Sequence, residues 1–320
     1  MAMNILVVGS GTMGNGIAQV LAQGGNTVFL NDMNRDILQA AKSNIELQLA
    51  IMVKNELLAE SRVAEVLGNI RFCENLSECT ADIDLVIEAI PEKIELKEKL
   101  FTRLEELCPE KTIFATNTSG ISINSLAQKV KRKDKLIGTH FFMPAHLIPL
   151  VEVVVGKDTA AETVEFVMQV LHSAGKKPIK VAVDLPGFIA NRLQHALARE
   201  AMSLVQKGVA TAEDIDEVVK SSLAIRLLFT GPLEQRDFNG LDTHLSIASY
   251  LYEDLENTVK PLKILEDKVA AGKLGLKTGE GFYDWRSKDK TNVLADKNQL
   301  LIDILKFLTR NDPESKEDRK

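Results

Sequence analysis

The chain has 320 residues, of which 45% are hydrophobic and 26% are charged, and this composition predicts a globular protein of about two domains. The net charge of -6 argues against a nucleic-acid-binding protein, whose binding face is usually basic. The apolar runs are shorter than the roughly 20 residues that a membrane-spanning helix needs. The first residues lead straight into a predicted strand with no basic region or cleavage site, so we expect no signal peptide and a cytoplasmic location.

The cysteines Cys73, Cys79 and Cys108 are odd in number and lack the spacing of metal ligands. Reduced, buried thiols in a cytoplasmic protein are the expected state. We therefore predict neither disulfide bonds nor a metal site.

In the first half of the chain, short runs rich in β-branched residues alternate with longer amphipathic stretches. Six runs are predicted as strands: MNILVV, NTVFLN, DLVIEA, TIFATN, KLIGTH and PLVEVVV. Three stretches are predicted as helices: Thr12–Gln23, Arg35–Leu58 and Lys93–Leu107. Such alternation is typical of βαβ units, and it predicts an α/β fold with a Rossmann-like, doubly wound, mainly parallel sheet.

The pattern changes after Asp184, where strand-like runs give way to helical periodicity. The predicted helices are Phe188–Lys207, Thr211–Ser222, Leu241–Leu255 and Thr291–Thr309. We therefore divide the chain into residues 1–184, a nucleotide-binding domain, and residues 185–320, an all-α domain. The closing NDPESKEDRK is predicted to be a solvated tail.

A glycine-rich turn follows the first predicted strand and opens the first predicted helix. Its motif residues are Gly9, Gly11, Thr12, Met13 and Gly14. Asp32 ends the next strand, at the spacing expected for a residue that binds the adenosine ribose. Such a turn lets a pyrophosphate approach the backbone at a helix N-terminus, and the carboxylate would repel a 2′-phosphate. The motif in this context predicts NAD as the cofactor.

Oxidation of an alcohol requires a base for the hydroxyl proton, and histidine suits this role near neutral pH. His140 ends a predicted strand of the sheet domain, and Glu152 lies within the apolar run LVEVVV that follows it. A buried carboxylate is costly unless it is paired. Glu152 is therefore a candidate partner that orients His140, with a purely structural pair as the alternative from these residues alone.

Several stretches together resemble the L-3-hydroxyacyl-CoA dehydrogenase family, including its 3-hydroxybutyryl-CoA dehydrogenases. They are GSGTMGNGIA, VIEAIPEKIELKEKLF, ATNTSGISINSLA, GTHFFMPAHLIPLVEVV, DLPGFIANRL, GPLEQRDFNGLDT and LGLKTGEGFYDW. They occur in the family's order from residue 3 to about residue 285. The resemblance implies an NAD-dependent oxidoreductase of fatty acid metabolism, a small-molecule substrate, and a homodimer formed through the helical domain.

The resemblance also implies roles for individual residues. Of the family's catalytic residues, the histidine and its glutamate match His140 and Glu152, and the serine and asparagine match Ser119 and Asn191. The last two would hold the substrate oxygen. The residues expected to contact the cofactor are Ser119 again, together with Glu92, Lys97 and Lys277. From their types alone, Ser119 would be a turn serine and Lys97 a solvated lysine.

The chain departs from the family pattern at three places that bear on the substrate. Met143 replaces the asparagine of HFFNP, which removes one polar group. The segment Ser221–Gln235 is about two residues longer than in acyl-CoA members and introduces Arg226, a candidate clamp for a substrate carboxylate or else a surface arginine. The helix on which the family's CoA would rest offers Lys54 but few other cations.

Three functions follow from the resemblance and these departures. We favour oxidation of a short-chain L-3-hydroxyacyl-CoA to the 3-ketoacyl-CoA, with the same reaction on a small free hydroxy acid or alcohol, of the carnitine, gulonate or pyridine-carboxylate type, as the alternative. A non-catalytic, crystallin-like NAD-binding protein is the third possibility. The joint presence of Ser119, His140, Glu152 and Asn191 argues against it.

Overall fold

The computed structural model describes residues 2–311 and contains a single eight-stranded sheet. In chain order, the strands are β1 (Asn4–Val8), β2 (Thr27–Asn31), β3 (Ile70–Cys73), β4 (Leu85–Glu88), β5 (Ile113–Thr116), β6 (Leu136–Phe141), β7 (Leu150–Val154) and β8 (Lys177–Val181). Their spatial order is β3-β2-β1-β4-β5-β6-β7-β8. Every neighbouring pair is parallel except β6 and β7. The predicted Rossmann-like, mainly parallel sheet is confirmed.

Two of these strands, β3 and β8, are absent from the sequence-based prediction. β3 has only four residues. β8 has the sequence KPIKV, in which three of five residues are exposed and Pro178 cannot donate a ladder hydrogen bond. Both strands form the outer edges of the sheet. Short or proline-containing edge strands bury too little apolar surface to give a clear sequence pattern.

Six helices accompany the strands. They are α1 (Thr12–Gln23), α2 (Arg35–Lys54), α3 (Val63–Gly68), α4 (Ile94–Leu107), α5 (Ile123–Leu126) and α6 (Ala161–Ser173). The predicted bounds of α1 agree with the structure. The prediction that α2 continues to Leu58 is wrong, because the Asn55 amide caps the Ile51 carbonyl and Glu56 adopts a left-handed backbone with φ of 58°.

The sheet is buried on both faces, as expected for parallel strands covered by helices. In β1, Ile5 and Val7 belong to one apolar cluster, whereas Leu6 and Val8 belong to the other. This alternation follows from the two-residue period of a strand. The order of the strands reverses between β1 and β4, and sheets of this kind usually bind their ligands at the carboxyl ends of the strands beside such a reversal.

The remainder of the described chain is helical. It contains α7 (Ala190–Gln206), α8 (Ala212–Val218), a π-helical segment (Val219–Ala224), α9 (Ile225–Leu227), α10 (Glu234–Asn239), α11 (Leu241–Leu251), α12 (Lys263–Ala270) and α13 (Lys290–Asn311). The predicted all-α region is confirmed, although the expected regular helix Thr211–Ser222 changes to π geometry after Val218. None of the described helices is long and apolar enough to cross a membrane.

The chain forms two compact units. Residues 2–192 and 301–311 form the first, and Leu193–Leu300 forms the second. The end of α13 belongs to the first unit, where Ile302 is 1% exposed and Lys306 pairs with Glu56 at 3.4 Å. The division after residue 184 stays a prediction, and most of the tail predicted to be solvated lies outside the described residues.

Candidate active site

The glycine-rich turn between β1 and α1 has the shape that a dinucleotide requires. Gly9 has φ of 96°, and a Cβ there would lie 2.7 Å from the Ala89 carbonyl oxygen. A Cβ at Gly14 would lie 1.7 Å from the Gly9 carbonyl oxygen. At Gly11, by contrast, a Cβ would meet only open space, which leaves room for a ligand. The three glycines therefore serve a turn, a ligand approach and a close packing contact.

The start of α1 is available to an anion. Its cap residue Gly11 has no side chain to accept from the first-turn amides, and the first turn carries no acidic residue. Thr12 is exposed and Met13 is partly exposed. At the end of β2, Asp32 accepts hydrogen bonds from the Ser10 amide at 3.0 Å and hydroxyl at 3.2 Å. A free helix N-terminus beside a fixed carboxylate fits a pyrophosphate and a ribose.

His140 and Glu152 lie directly opposite each other on the antiparallel strands β6 and β7. The His140 Nδ1 atom is 2.8 Å from Glu152 Oε2, and both side chains are buried. The rings of Phe142 and Phe188 lie 4.3 Å and 5.7 Å from the imidazole, measured between centroids. Because a carboxylate only accepts, the pairing favours a proton on Nδ1 and leaves Nε2 as the basic nitrogen.

Glu152 uses its second oxygen as well. Oε1 accepts hydrogen bonds from the backbone amides of Ile189 at 3.0 Å and Ala190 at 2.8 Å. Burial alone would raise the pKa of Glu152, but the hydrogen bonds from His140, Ala190 and Ile189 outweigh it and hold the pKa below its usual value. The carboxylate is therefore charged, and it can stabilise a protonated imidazole.

Ser119 and Asn191 come from distant parts of the chain, yet they are in contact. Ser119 lies in the exposed turn after β5, and Asn191 lies in the first turn of α7. The Asn191 side-chain amide donates to the Ser119 carbonyl at 3.0 Å. The Ser119 amide in turn donates to Glu92 Oε1 at 2.9 Å. These hydrogen bonds hold two candidate substrate-binding residues in one network.

Lys97 is 1% exposed and lies inside a cluster of acidic groups. Its Nζ atom is 2.6 Å from Glu88 Oε1 and 3.2 Å from Glu92 Oε2. Burial raises the pKa of Glu88, although Lys97 and the Thr116 hydroxyl oppose this shift. Burial also opposes ionisation of Glu92, yet hydrogen bonds from Thr118, the Ser119 amide and Lys97 lower its pKa. Lys97 is thus a buried counter-ion of Glu88 and Glu92. Its expected contact with the cofactor stays a prediction.

Glu88 is a site-adjacent residue that the sequence analysis missed. It ends β4, is fully buried, and accepts hydrogen bonds from Lys97, the Thr116 hydroxyl and the Ile90 amide. The available signal was a glutamate within the apolar run DLVIEA, which is the same kind of signal that identified Glu152. Its lysine partner lies nine positions further along the chain.

The four remaining predicted site residues are all exposed. Lys54 is the exposed last residue of α2, and Met143 is 69% exposed. Arg226 and Lys277 belong to the second unit, and both are exposed. The roles suggested for these four residues stay predictions.

Two family models together match almost the whole described chain. A model described as the 3-hydroxyacyl-CoA dehydrogenase NAD binding domain matches residues 4–185. A model described as the 3-hydroxyacyl-CoA dehydrogenase C-terminal domain matches residues 187–285. Residues 286–320 lie outside both.

Individual relatives fall into two groups. A 5-formyl-3-hydroxy-2-methylpyridine 4-carboxylate 5-dehydrogenase from Mesorhizobium japonicum is 32% identical over 96% of this chain and 99% of its own length. A probable 3-hydroxybutyryl-CoA dehydrogenase from Bacillus subtilis is 39% identical over 89% of this chain and 98% of its own. A crystal structure of a 5-formyl-3-hydroxy-2-methylpyridine 4-carboxylic acid 5-dehydrogenase, described as an NAD-dependent dismutase, has a TM-score of 0.90 at 32% identity, covering 96% of this chain and 99% of that one.

Proposed function

The chain belongs to the 3-hydroxyacyl-CoA dehydrogenase family of NAD-dependent oxidoreductases, and from that premise we propose that it oxidises a hydroxyl or hydrated aldehyde group on a small free carboxylic acid. The reaction type is supported above all by the buried pair of His140 and Glu152. The substrate class is supported by the likeness to a pyridine-carboxylate dehydrogenase along 96% of this chain.

NAD, when bound, supplies the acceptor for the substrate hydride. In the proposed site, the open backbone at Gly11 and the N-terminus of α1 hold the pyrophosphate. Asp32 accepts hydrogen bonds from the adenosine ribose and disfavours a 2′-phosphate. Glu92 follows β4 in the chain and accepts a hydrogen bond from the Ser119 amide. From this position it would contact the nicotinamide side of the cofactor.

His140 removes the proton from the substrate hydroxyl through Nε2. The resulting imidazolium is stabilised by the Glu152 carboxylate at Nδ1, 2.8 Å away. An alcohol and a hydrated aldehyde make the same demand on this base, because each loses a proton from oxygen while hydride leaves carbon. The Ser119 hydroxyl and the Asn191 amide hold the substrate oxygen as it becomes a carbonyl.

The proposed substrate class is supported by how far the likeness to the Mesorhizobium relative extends along this chain. The Bacillus relative aligns over 285 residues, whereas the Mesorhizobium relative aligns over 308 and must therefore reach beyond residue 285. Most of this additional segment is the 22-residue helix α13, whose end is fixed in the first unit by Ile302 and Lys306. The likeness to a pyridine-carboxylate dehydrogenase runs through this segment, and the structural match to such an enzyme has a TM-score of 0.90 over 96% of this chain.

The charge of α2 supports the same choice. Its twenty residues contain Arg35, Lys42 and Lys54 together with Asp36 and Glu46, a net charge of only +1. The phosphates of CoA are usually bound by several lysines or arginines. A small free acid has no phosphates and does not need several lysines or arginines on this helix.

The second candidate is an L-3-hydroxyacyl-CoA substrate of fatty acid metabolism. It is favoured by the higher identity, 39%, to the Bacillus 3-hydroxybutyryl-CoA dehydrogenase. Both candidates use the same base and the same cofactor, so they differ only in how the substrate is bound.

A substrate panel distinguishes the two candidates. The purified full chain with NAD is tested on pyridine carboxylates bearing hydroxymethyl or formyl groups, on free 3-hydroxy acids, and on 3-hydroxybutyryl-CoA, with NADH formation as the readout. We expect turnover of a free acid and at least tenfold lower kcat/KM for the CoA thioester. Turnover of the thioester alone would establish the second candidate, and no NADH from any of these compounds would contradict both.

We also propose that the protein is a homodimer formed through the helical unit. On α7, the side chains of Leu193 and Leu197 are 57% and 45% exposed, and on α11 Leu241 and Leu245 are 62% and 71% exposed. Exposed apolar side chains in such number mark an interaction surface. Light scattering after size exclusion should give twice the mass of one chain, and a monomer at micromolar concentration would contradict the proposal.

A further inference from the structure

Glu152 makes two different kinds of contact with its two oxygens. Oε2 lies 2.8 Å from the His140 imidazole, and Oε1 accepts from the backbone amides of Ile189 and Ala190. The carboxylate is almost inaccessible, since the side chain is 2% exposed. A partner needed only to orient a histidine would not require its second oxygen to hold another segment of the chain.

The segment that reaches Oε1 has an unusual backbone. Gly187 and Phe188 both adopt the left-handed region, with φ of 76° and 49°. This conformation is unfavourable for a phenylalanine. It turns the next two amides toward Glu152 and places the Phe188 ring, 2% exposed, 5.7 Å from the His140 ring. The segment is thus shaped around the pair of His140 and Glu152.

The same segment begins α7, the helix that carries Asn191. The two bonded amides immediately precede Asn191 in the chain, and its side chain donates to the Ser119 carbonyl at 3.0 Å. Glu152 is therefore hydrogen-bonded to the two residues that directly precede the residue proposed to hold the substrate oxygen. Any displacement of the start of this helix moves Asn191 relative to His140.

We propose that Glu152 is a positioning residue for Asn191 as well as the partner of His140. Through Oε1 it fixes the start of α7, so that Asn191 and Ser119 hold the substrate oxygen within reach of the base. This inference rests on the proposed function, because the roles of Asn191 and His140 are part of that proposal. It adds that the two duties of Glu152 can be separated by mutation.

Glu152→Gln and Glu152→Ala separate these duties. Glutamine keeps one carbonyl oxygen for the amides of Ile189 and Ala190 but loses the carboxylate that stabilises the imidazolium. Alanine loses both. We expect kcat to fall about 100-fold in both variants, whereas KM for the hydroxy substrate rises about tenfold only in Glu152→Ala. Equal KM values in the two variants would overturn the proposal.

The Asn191→Ala background provides the decisive control. If Glu152 acts on substrate binding through Asn191, the difference in KM between the glutamine and alanine variants should disappear in this background. A difference that persists would show that Glu152 affects the substrate by another route, and it would contradict the proposal.

A measurement without substrate separates this inference from the proposed function. Amide hydrogen exchange at Ile189 and Ala190 should remain slow in Glu152→Gln and become at least tenfold faster in Glu152→Ala. Fast exchange in both variants would overturn the role of Oε1, whether or not the enzyme turns over a free acid. Failure of the substrate panel alone would leave this exchange result intact.

Gly187→Ala tests the backbone itself, and Gly175→Ala is its matched control. Both glycines have left-handed φ angles, 76° and 74°, and at neither would a Cβ come closer than 3.5 Å to another atom. Both variants should therefore lower Tm by a similar few degrees. Only Gly187→Ala should raise KM, by about fivefold, and an equal rise in Gly175→Ala would contradict the proposal.

Discussion

His140 and His146 lie six positions apart in one stretch of sequence, yet their surroundings have opposite charge. His140 faces the carboxylate of Glu152 at 2.8 Å. Burial, together with the nearby ammonium group of Lys176, lowers the pKa of His146 to about 4. Burial and a nearby ammonium group oppose protonation of an imidazole, whereas a carboxylate accepts a hydrogen bond from it.

Lys176 also has a structural role. It is 6% exposed, and its Nζ donates to the carbonyls of Ala145 at 2.6 Å and Ile148 at 2.8 Å. Burial lowers the pKa of Lys176 to about 8. The lysine thus holds the loop after β6 in place. The chemistry of each histidine thus depends on which charged residue another segment of the chain brings close to it.

The largest expected effect is on catalysis, and it tests the comparison directly. His140→Gln should lower kcat with NAD and the best substrate by about 10²–10⁴-fold, because the base is lost. His146→Gln should keep kcat within about threefold, since the charge near its imidazole is the Lys176 ammonium group rather than a carboxylate that could stabilise an imidazolium. Steady-state NADH formation measures both. Comparable losses in the two variants would remove the functional distinction between the histidines.

A smaller effect is expected on acid stability. The pKa of His146 is lowered from 6.5 to about 4 in the folded protein, so between these values the unfolded chain binds the proton more readily. Stability should therefore be lost as pH falls from 6.5 to 4, by up to about 3 kcal/mol from this residue.

His146→Gln should lack this contribution, which urea unfolding at a series of pH values can measure. The exposed His172 offers the matched control His172→Gln, which leaves His146 in place and should therefore keep the loss of stability that His146 causes. If His146→Gln loses stability with acid as steeply as the unaltered chain, His146 is not the group responsible.

The smallest effect concerns the charge of Lys176. Lys176→Met removes the ammonium group while keeping most of the side-chain volume, so the pKa of His146 should rise. The rise should be about one unit or less, because burial is the larger cause of the lowered value. NMR titration of the histidine ring resonances measures it. An unchanged midpoint would show that burial alone lowers the pKa of His146.

The predictability of the site depended on how far apart the partners lie in sequence. The register of β6 and β7 follows from a short antiparallel connection, so the pairing of His140 with Glu152 was accessible from the apolar pattern. The buried pair of Lys97 with Glu88 was not, since Lys97 sits on a helix of otherwise ordinary charge pattern. The contacts of Glu152 with residues 189 and 190 depend on the left-handed backbone conformation of Phe188. A phenylalanine in the sequence does not predict that conformation.

The sequence by itself determined the α/β class, the mainly parallel sheet, the helical second half and the NAD motif. These features depend on periodicity and on glycines whose geometry is local. Only the tertiary structure decided the edge strands β3 and β8, the end of α2, the burial of Lys97 and the second contact of Glu152. Each of these depends on segments distant in the chain, whose approach fixes burial and charge that no local pattern encodes.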